Sequence, residues 1–192
     1  YDVQAFSAAG ISSTRSFYVS RRQQQVETDP SESSIEEKAI ELETVCGGCI
    51  GAPGDVDVYT FSAATGETVV IECWAERLDS SLRATLELYD PGGKRIAVNR
   101  GLFGKDPVIA YELTKAGRYT VKIADLVFGG SPNHFYRLDL HAGPRVVYTV
   151  PTVVQLGVAI TVDFFGWNLG ISGSPRGGGA FRFIPQTYIA GH

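Results

Sequence analysis

Two aspartates, Asp55 and Asp57, stand two apart in GAPGDVDVYTFSA (residues 51–63), at the head of an alternating apolar run. Residues two apart on a strand share a face. Both carboxylates should therefore project from one side of an exposed strand start, just after a Pro-Gly turn. Three chemistries fit such a pair: a solvated edge, a catalytic acid pair, or half of a hard-cation site. A glycosidase-type pair needs carboxyls about 5 to 10 Å apart, in different environments, flanking a cleft. Same-side neighbours meet the distance but imply no cleft.

The other reactive residues form no catalytic set. Cys46 and Cys49 lie in CGGC, and Cys73 is the third cysteine. A redox pair belongs at a helix N-terminus, where the thiol pKa falls, yet Pro-Gly turns and another strand follow. Zinc needs four ligands, and His134, His141 and His192 are scattered. The pair reads as a short-loop disulfide or as plain loop thiols. His134 and His141, seven apart in a strand region, should face opposite sides. GISGS is not the nucleophile-elbow pattern G-x-S-x-G, and GSPRGGG lacks the Gly-Lys-Ser/Thr ending of a phosphate loop. The chain reads as a non-enzyme. Exposed aromatics and polar loop residues suit binding better: Phe103 in NRGLFGKD, Phe128 and His134 in VFGGSPNHF, and Trp167 in GWNLG. Each also has a plainer reading, the favoured one, as a loop anchor packed over the end of the core.

Elements that would carry these residues follow from the pattern. The 192 residues are 44% hydrophobic and 20% charged, with 22 Gly and 9 Pro, an ordinary globular balance rich in turns. A formal net charge of −4 leaves no basic footprint for nucleic acid. No apolar run approaches the roughly 20 residues of a membrane helix. Met is absent, including at position 1, and the first residues already alternate like a strand; both features suggest an internal or processed fragment.

Residues 1–20 read as two short strands, the tail of a preceding domain. Residues 21–45 are an acidic, polar linker arm in which SSIEEKAIEL could form a helical turn or two. From 46 to 143 about seven strands alternate with turn signals, as in a β-sandwich. DPGGK joins two of them, Gly supplying the positive φ of a tight hairpin. Trp74, Leu86, Leu88, Ile109, Tyr111, Tyr119, Val121, Ile123, Tyr136, Leu138 and Leu140 should fill the inner face. Residues 144–192 begin a fresh β pattern.

The order of four landmarks, GDVDVYTF, the ATGE turn, LYDPGG and AGRYTVKIAD, resembles the bacterial pre-peptidase C-terminal domain family over about half the chain. RLDSSL and DLVFGGSPNHFYRL look most like copies from planctomycete-type bacteria. The edges resemble immunoglobulin-like domains, with VPTVVQLGVAITVDFFGWNLG similar to the start of an IPT/TIG-type repeat. The family implies an all-β, antiparallel, jelly-roll-like sandwich. It implies a non-catalytic accessory or spacer module of a larger secreted or surface protein, extracytoplasmic, with neighbouring domains of the same polypeptide as partners. The alternative is a module that binds polysaccharide or extracellular protein and targets a catalytic neighbour. Relatives attached to collagenases bind calcium where an acidic arm meets the strand start. The resemblance maps that arm onto VETDPSES, so Glu27, Asp29 and Glu32 with Asp55 and Asp57 are the expected calcium ligands. Ser31 stands where those relatives carry Asn.

Overall fold

Period-two alternation becomes strand throughout the computed structural model of this chain, which describes residues 2–16, 18–26, 37–101, 106–155, 160–169 and 179–183, the last stretch as backbone only. No α-helix occurs among them. The chain divides into two compact units, Tyr1–Ala142 and Gly143–His192.

The first unit opens with β1 (Asp2–Val3), β2 (Phe6–Ser7), β3 (Gly10–Ile11) and β4 (Arg15–Ser16), nested as antiparallel pairs β1–β4 and β2–β3. Ten longer strands follow: β5 (Gln23–Val26), β6 (Glu37–Ala39), β7 (Thr44–Cys49), β8 (Val56–Ala63), β9 (Thr68–Trp74), β10 (Ala84–Tyr89), β11 (Arg95–Asn99), β12 (Val108–Glu112), β13 (Gly117–Asp125) and β14 (Phe135–His141). They form two five-stranded sheets, ordered β11-β10-β13-β8-β6 and β12-β9-β14-β7-β5. Pairing is antiparallel except at the last position of each sheet, where β5 joins β7 and β6 joins β8 in parallel.

Those two edge strands come from the arm. Glu37, Lys38 and Ala39 adopt extended backbone where the sequence alone allows a helical turn. The physical reason is the neighbouring edge: β8 offers unpaired backbone groups, and a polar segment gains hydrogen bonds by lying along it.

The core lies between the sheets. Tyr59 and Phe61 from β8, Leu86 and Leu88 from β10, and Tyr119, Val121 and Ile123 from β13 meet Val69, Ile71, Cys73, Ile109, Tyr136, Leu138 and Leu140 from the other sheet. Phe61 and Tyr119 are cross-strand partners with stacked rings, centroids 5.7 Å apart. Trp74 departs from the expected inner set. Cys73 takes the inner position, so the alternation turns Trp74 to the outer face of its sheet, only half-buried. The DPGGK hairpin forms as its residues require: Gly93 has φ +77°, and Asp90 Oδ1 accepts from the Gly92 and Lys94 amides.

The second unit holds β15 (Arg145–Val150), β16 (Ile160–Trp167) and β17 (Gly179–Phe183), an antiparallel three-stranded sheet in that order. Tyr148 and Phe165, cross-strand partners, stack with centroids 4.6 Å apart.

Candidate functional site

One end of the sandwich gathers four of the residues singled out by the sequence. The turn at 50–55 and the loop at 126–134 are laced together by backbone bonds. Gly54 N donates to Phe128 O, Ser131 N to Ile50 O, and Ile50 N to His134 O. Gly130 makes the approach possible, because a Cβ there would lie 2.0 Å from the Ala52 carbonyl oxygen. This lacing brings Asp55, Asp57, Phe128 and His134 to the same end. Glu27, Asp29, Glu32 and Phe103 lie outside the described residues. Trp167 ends β16 in the second unit, half-buried and paired with Arg145.

The two aspartates have different surroundings. Asp55 is half-buried, and its Oδ2 accepts from the Gly51 amide at 3.1 Å. Asp57 is 6% exposed, directed between the sheets. Lys38 Nζ sits 3.1 Å from its Oδ1, and the Tyr136 hydroxyl donates to its Oδ2 at 2.7 Å. Tyr136 in turn shares a 2.8 Å hydrogen bond with the Tyr59 hydroxyl. Burial and the neighbouring Tyr59 and Asp57 raise the Tyr136 pKa well above the usual phenol value. Among the described residues no three acids, histidines or cysteines converge as a metal cluster. The donor chemistry of Asp55 suits a hard cation, whereas Asp57 already holds an ammonium on one oxygen and a phenol on the other.

The cysteines are free thiols within strands, not loop residues. Cys46 and Cys49 both lie on β7, three apart, and therefore face opposite sides. That alternation forbids a bond between them. Burial pushes the Cys46 pKa up to about 11. Burial, then Asp57 and Asp55, raises that of Cys49. Such thiols are poor nucleophiles.

The Ser131 Oγ and His134 Nδ1 lie 2.8 Å apart, a distance that a nucleophile and base would also show. The same Oγ accepts the Asn133 amide, so the pair closes a turn. Asp125 acts likewise: its carboxylate accepts from the Arg83, Val127 and Gly129 amides. Burial alone would raise its pKa, but the Gly129, Arg83 and Val127 hydrogen bonds, with His134, outweigh that and hold it low. The loop thus presents Phe128 at φ +60°, and the residue is 74% exposed.

Beside Phe128 the outer face of β8, β10 and β13 forms a groove of about 470 Å³. Tyr89, Glu87, Lys122, Arg100 and Asp125 also line it. No motif in the sequence marks it; its signal is the run of polar and aromatic outward positions Thr85, Glu87 and Tyr89 on β10, which alternation alone leaves as solvent-facing residues.

On the opposite outer face, sequence reasoning missed a charged network. Arg137 lies 4.1 Å from the Tyr18 ring and 4.5 Å from that of Trp74, and Arg77 covers Trp74 at 4.5 Å. Arg137 Nη2 donates to Asp139 at 2.7 Å. Arg22 Nη1 donates to both Asp139 oxygens at 3.1 Å, and its Nε to Glu43 at 2.9 Å. Glu72 and His141 are buried alongside. Burial, followed by the charge of Arg22, depresses the His141 pKa against the pull of Asp139, Glu43 and Glu72.

Fold and site together define a class, an all-β sandwich module with a laced acidic end and a polar groove on one sheet. More particularly, residues 55–125, from the head of β8 to the end of β13, match the model of the bacterial pre-peptidase C-terminal domain. A probable subtilase-type serine protease from Deinococcus radiodurans is 29% identical over 99 residues. That alignment takes in 50% of this chain and 14% of the relative. Among solved structures, the pre-peptidase C-terminal domain of a Bacillus anthracis collagenase is similar at 23% identity and a TM-score of 0.46, covering 56% of this chain and 96% of that one. The Aeromonas hydrophila PliG, a periplasmic inhibitor of g-type lysozyme, is similar at 18% identity and a TM-score of 0.38, covering 55% and 96%.

Proposed function

We propose that this chain is a non-catalytic accessory module of a larger extracytoplasmic protein, one that spaces or stabilises the domains attached to it. The observation that carries the reading is the family match over residues 55–125, which takes in the central strands of the sandwich. The protease relative supports it, since the shared stretch is a small part of that protein. Immunoglobulin-like flanks, with residues 144–192 as an IPT/TIG-type start, belong to the same proposal. The test is direct. Purified chain is assayed against protein, ester and glycoside substrates; turnover abolished by one substitution would overturn the reading.

Calcium belongs to the proposal as a clip between Asp55 and the acids of the arm, Glu27, Asp29 and Glu32, with Asp57 remaining on Lys38. Hard carboxylate oxygens are the donors calcium takes. Added calcium should then raise the melting temperature of the parent and of Asp57→Asn, and leave Asp55→Asn unmoved. An unchanged parent would remove the metal from the proposal.

A second reading, a module that binds polysaccharide or extracellular protein for a catalytic neighbour, is favoured by the exposed Phe128 ring beside the groove.

A further inference from the structure

The groove on the outer face of β8, β10 and β13 brings two cations, Lys122 and Arg100, together on a chain of net negative charge. Glu87 is engaged by Arg95 at 2.6 Å and by the Tyr89 hydroxyl. Asp125 is filled by three backbone amides. Glu87 is also the cross-strand partner of Lys122 and feels its charge. Lys122 Nζ lies 5.0 Å from the centroid of the Tyr89 ring, and Arg100 lines the same groove. The result is a concave site that presents two cations, Lys122 and Arg100, beside acids with hydrogen-bond partners of their own, on a chain of net charge −4. Its volume of about 470 Å³ lies within the range of small-ligand pockets.

We propose that this groove binds a carboxylate-bearing polysaccharide, with Lys122 and Arg100 receiving a uronate carboxylate and the Phe128 ring supporting the apolar face of a sugar. Two observations choose a glycan over an acidic peptide. The exposed ring of Phe128 offers a flat apolar surface that suits the C–H face of a pyranose. The groove lies on the face of a sheet whose strands β10, β13 and β8 each have neighbours on both sides. No free backbone edge is therefore present for strand addition, the usual means of holding an extended peptide. The two cations sit on separate elements, Arg100 just past β11 and Lys122 on β13, and both line the groove. A charge-assisted hydrogen bond of this kind contributes more than a neutral one.

The inference deepens the binding-module reading, and its failure leaves the accessory role in place, since that role is tested by turnover instead. Calorimetric titration of the chain with a galacturonic acid hexamer, a neutral glucan hexamer and a hexaglutamate peptide distinguishes the outcomes. The uronate alone should bind, more weakly as salt rises. Lys122→Gln and Arg100→Gln should each weaken it about tenfold, the worth of one charged hydrogen bond. Phe128→Ala should weaken it by a similar factor, with unfolding curves matching the parent in all three variants. Equal binding of the neutral hexamer, tighter binding of hexaglutamate, no binding at all, or uronate binding indifferent to these substitutions would each overturn the proposal.

Discussion

Asp57 shows how a residue's role depends on what faces it. Its carboxylate is buried with Lys38 on one oxygen and Tyr136 on the other. Removing one partner of a buried pair costs more than the pair contributes, because a charge is left without compensation. Lys38 is partly open to water, so Lys38→Met should destabilise by about 2 kcal/mol in urea denaturation, the cost of a buried group left unsatisfied. Asp57→Asn should cost less, since Lys38 is partly open to water and an amide oxygen still accepts from Tyr136. His141 makes a second prediction at this scale. Its folded pKa lies below the ordinary 6.5, chiefly through burial and Arg22. The unfolded chain then binds the proton more readily. Stability from the neutral ring is present above about pH 6.5 and is lost as pH falls below it. The melting temperature of the parent should drop from pH 7.5 to 5.5 by more than that of His141→Gln.

At the scale of elements, short polar segments are held by what they lie against. Residues 18–22 have no strand of their own, yet Tyr18 packs edge-on to Trp74 at 4.7 Å and covers Arg137, while Arg22 reaches Asp139 and Glu43. Tyr18→Ala should cost about 1 to 2 kcal/mol by loss of the ring and cation contacts, measured as a shift in the urea midpoint. β7 gives a chemical test of strand alternation. Cys46 is buried facing the core, as is Cys73 on β9. Both should resist a maleimide in native buffer and label promptly in denaturant, and Cys49, half-buried, should label first. A native disulfide between Cys46 and Cys49 in mass spectrometry would contradict the strand.

For the molecule as a whole, the division at Ala142–Gly143 has a thermodynamic consequence. The apolar core cluster is drawn from residues 40–140, all within the first unit. A fragment of residues 1–142 should then keep its own cooperative unfolding, with a midpoint within about 3 °C of the corresponding transition in the full chain. A collapse of that transition would show that the first unit depends on the residues beyond it. Among the described residues, no helix is long and apolar enough to cross a membrane.

Local chemistry in the sequence already determined the seven strands β8–β14, the DPGGK turn and ten of the eleven expected inner positions, because alternation and glycine's backbone freedom act over a few residues; β5, β6 and β7 were not legible in it. Tyr111, one of those ten, sits half-buried at the edge of the core. Only the tertiary structure decided which face each polar residue would meet. Trp74 turned outward because Cys73 took the core, and the arm became two parallel edge strands because each sheet had an open neighbour. Asp57 met Lys38, and Arg100 was left beside Phe128, through contacts made across more than ten residues of chain. Spacing along a sequence records none of these meetings, since they arise from the register in which distant strands pair.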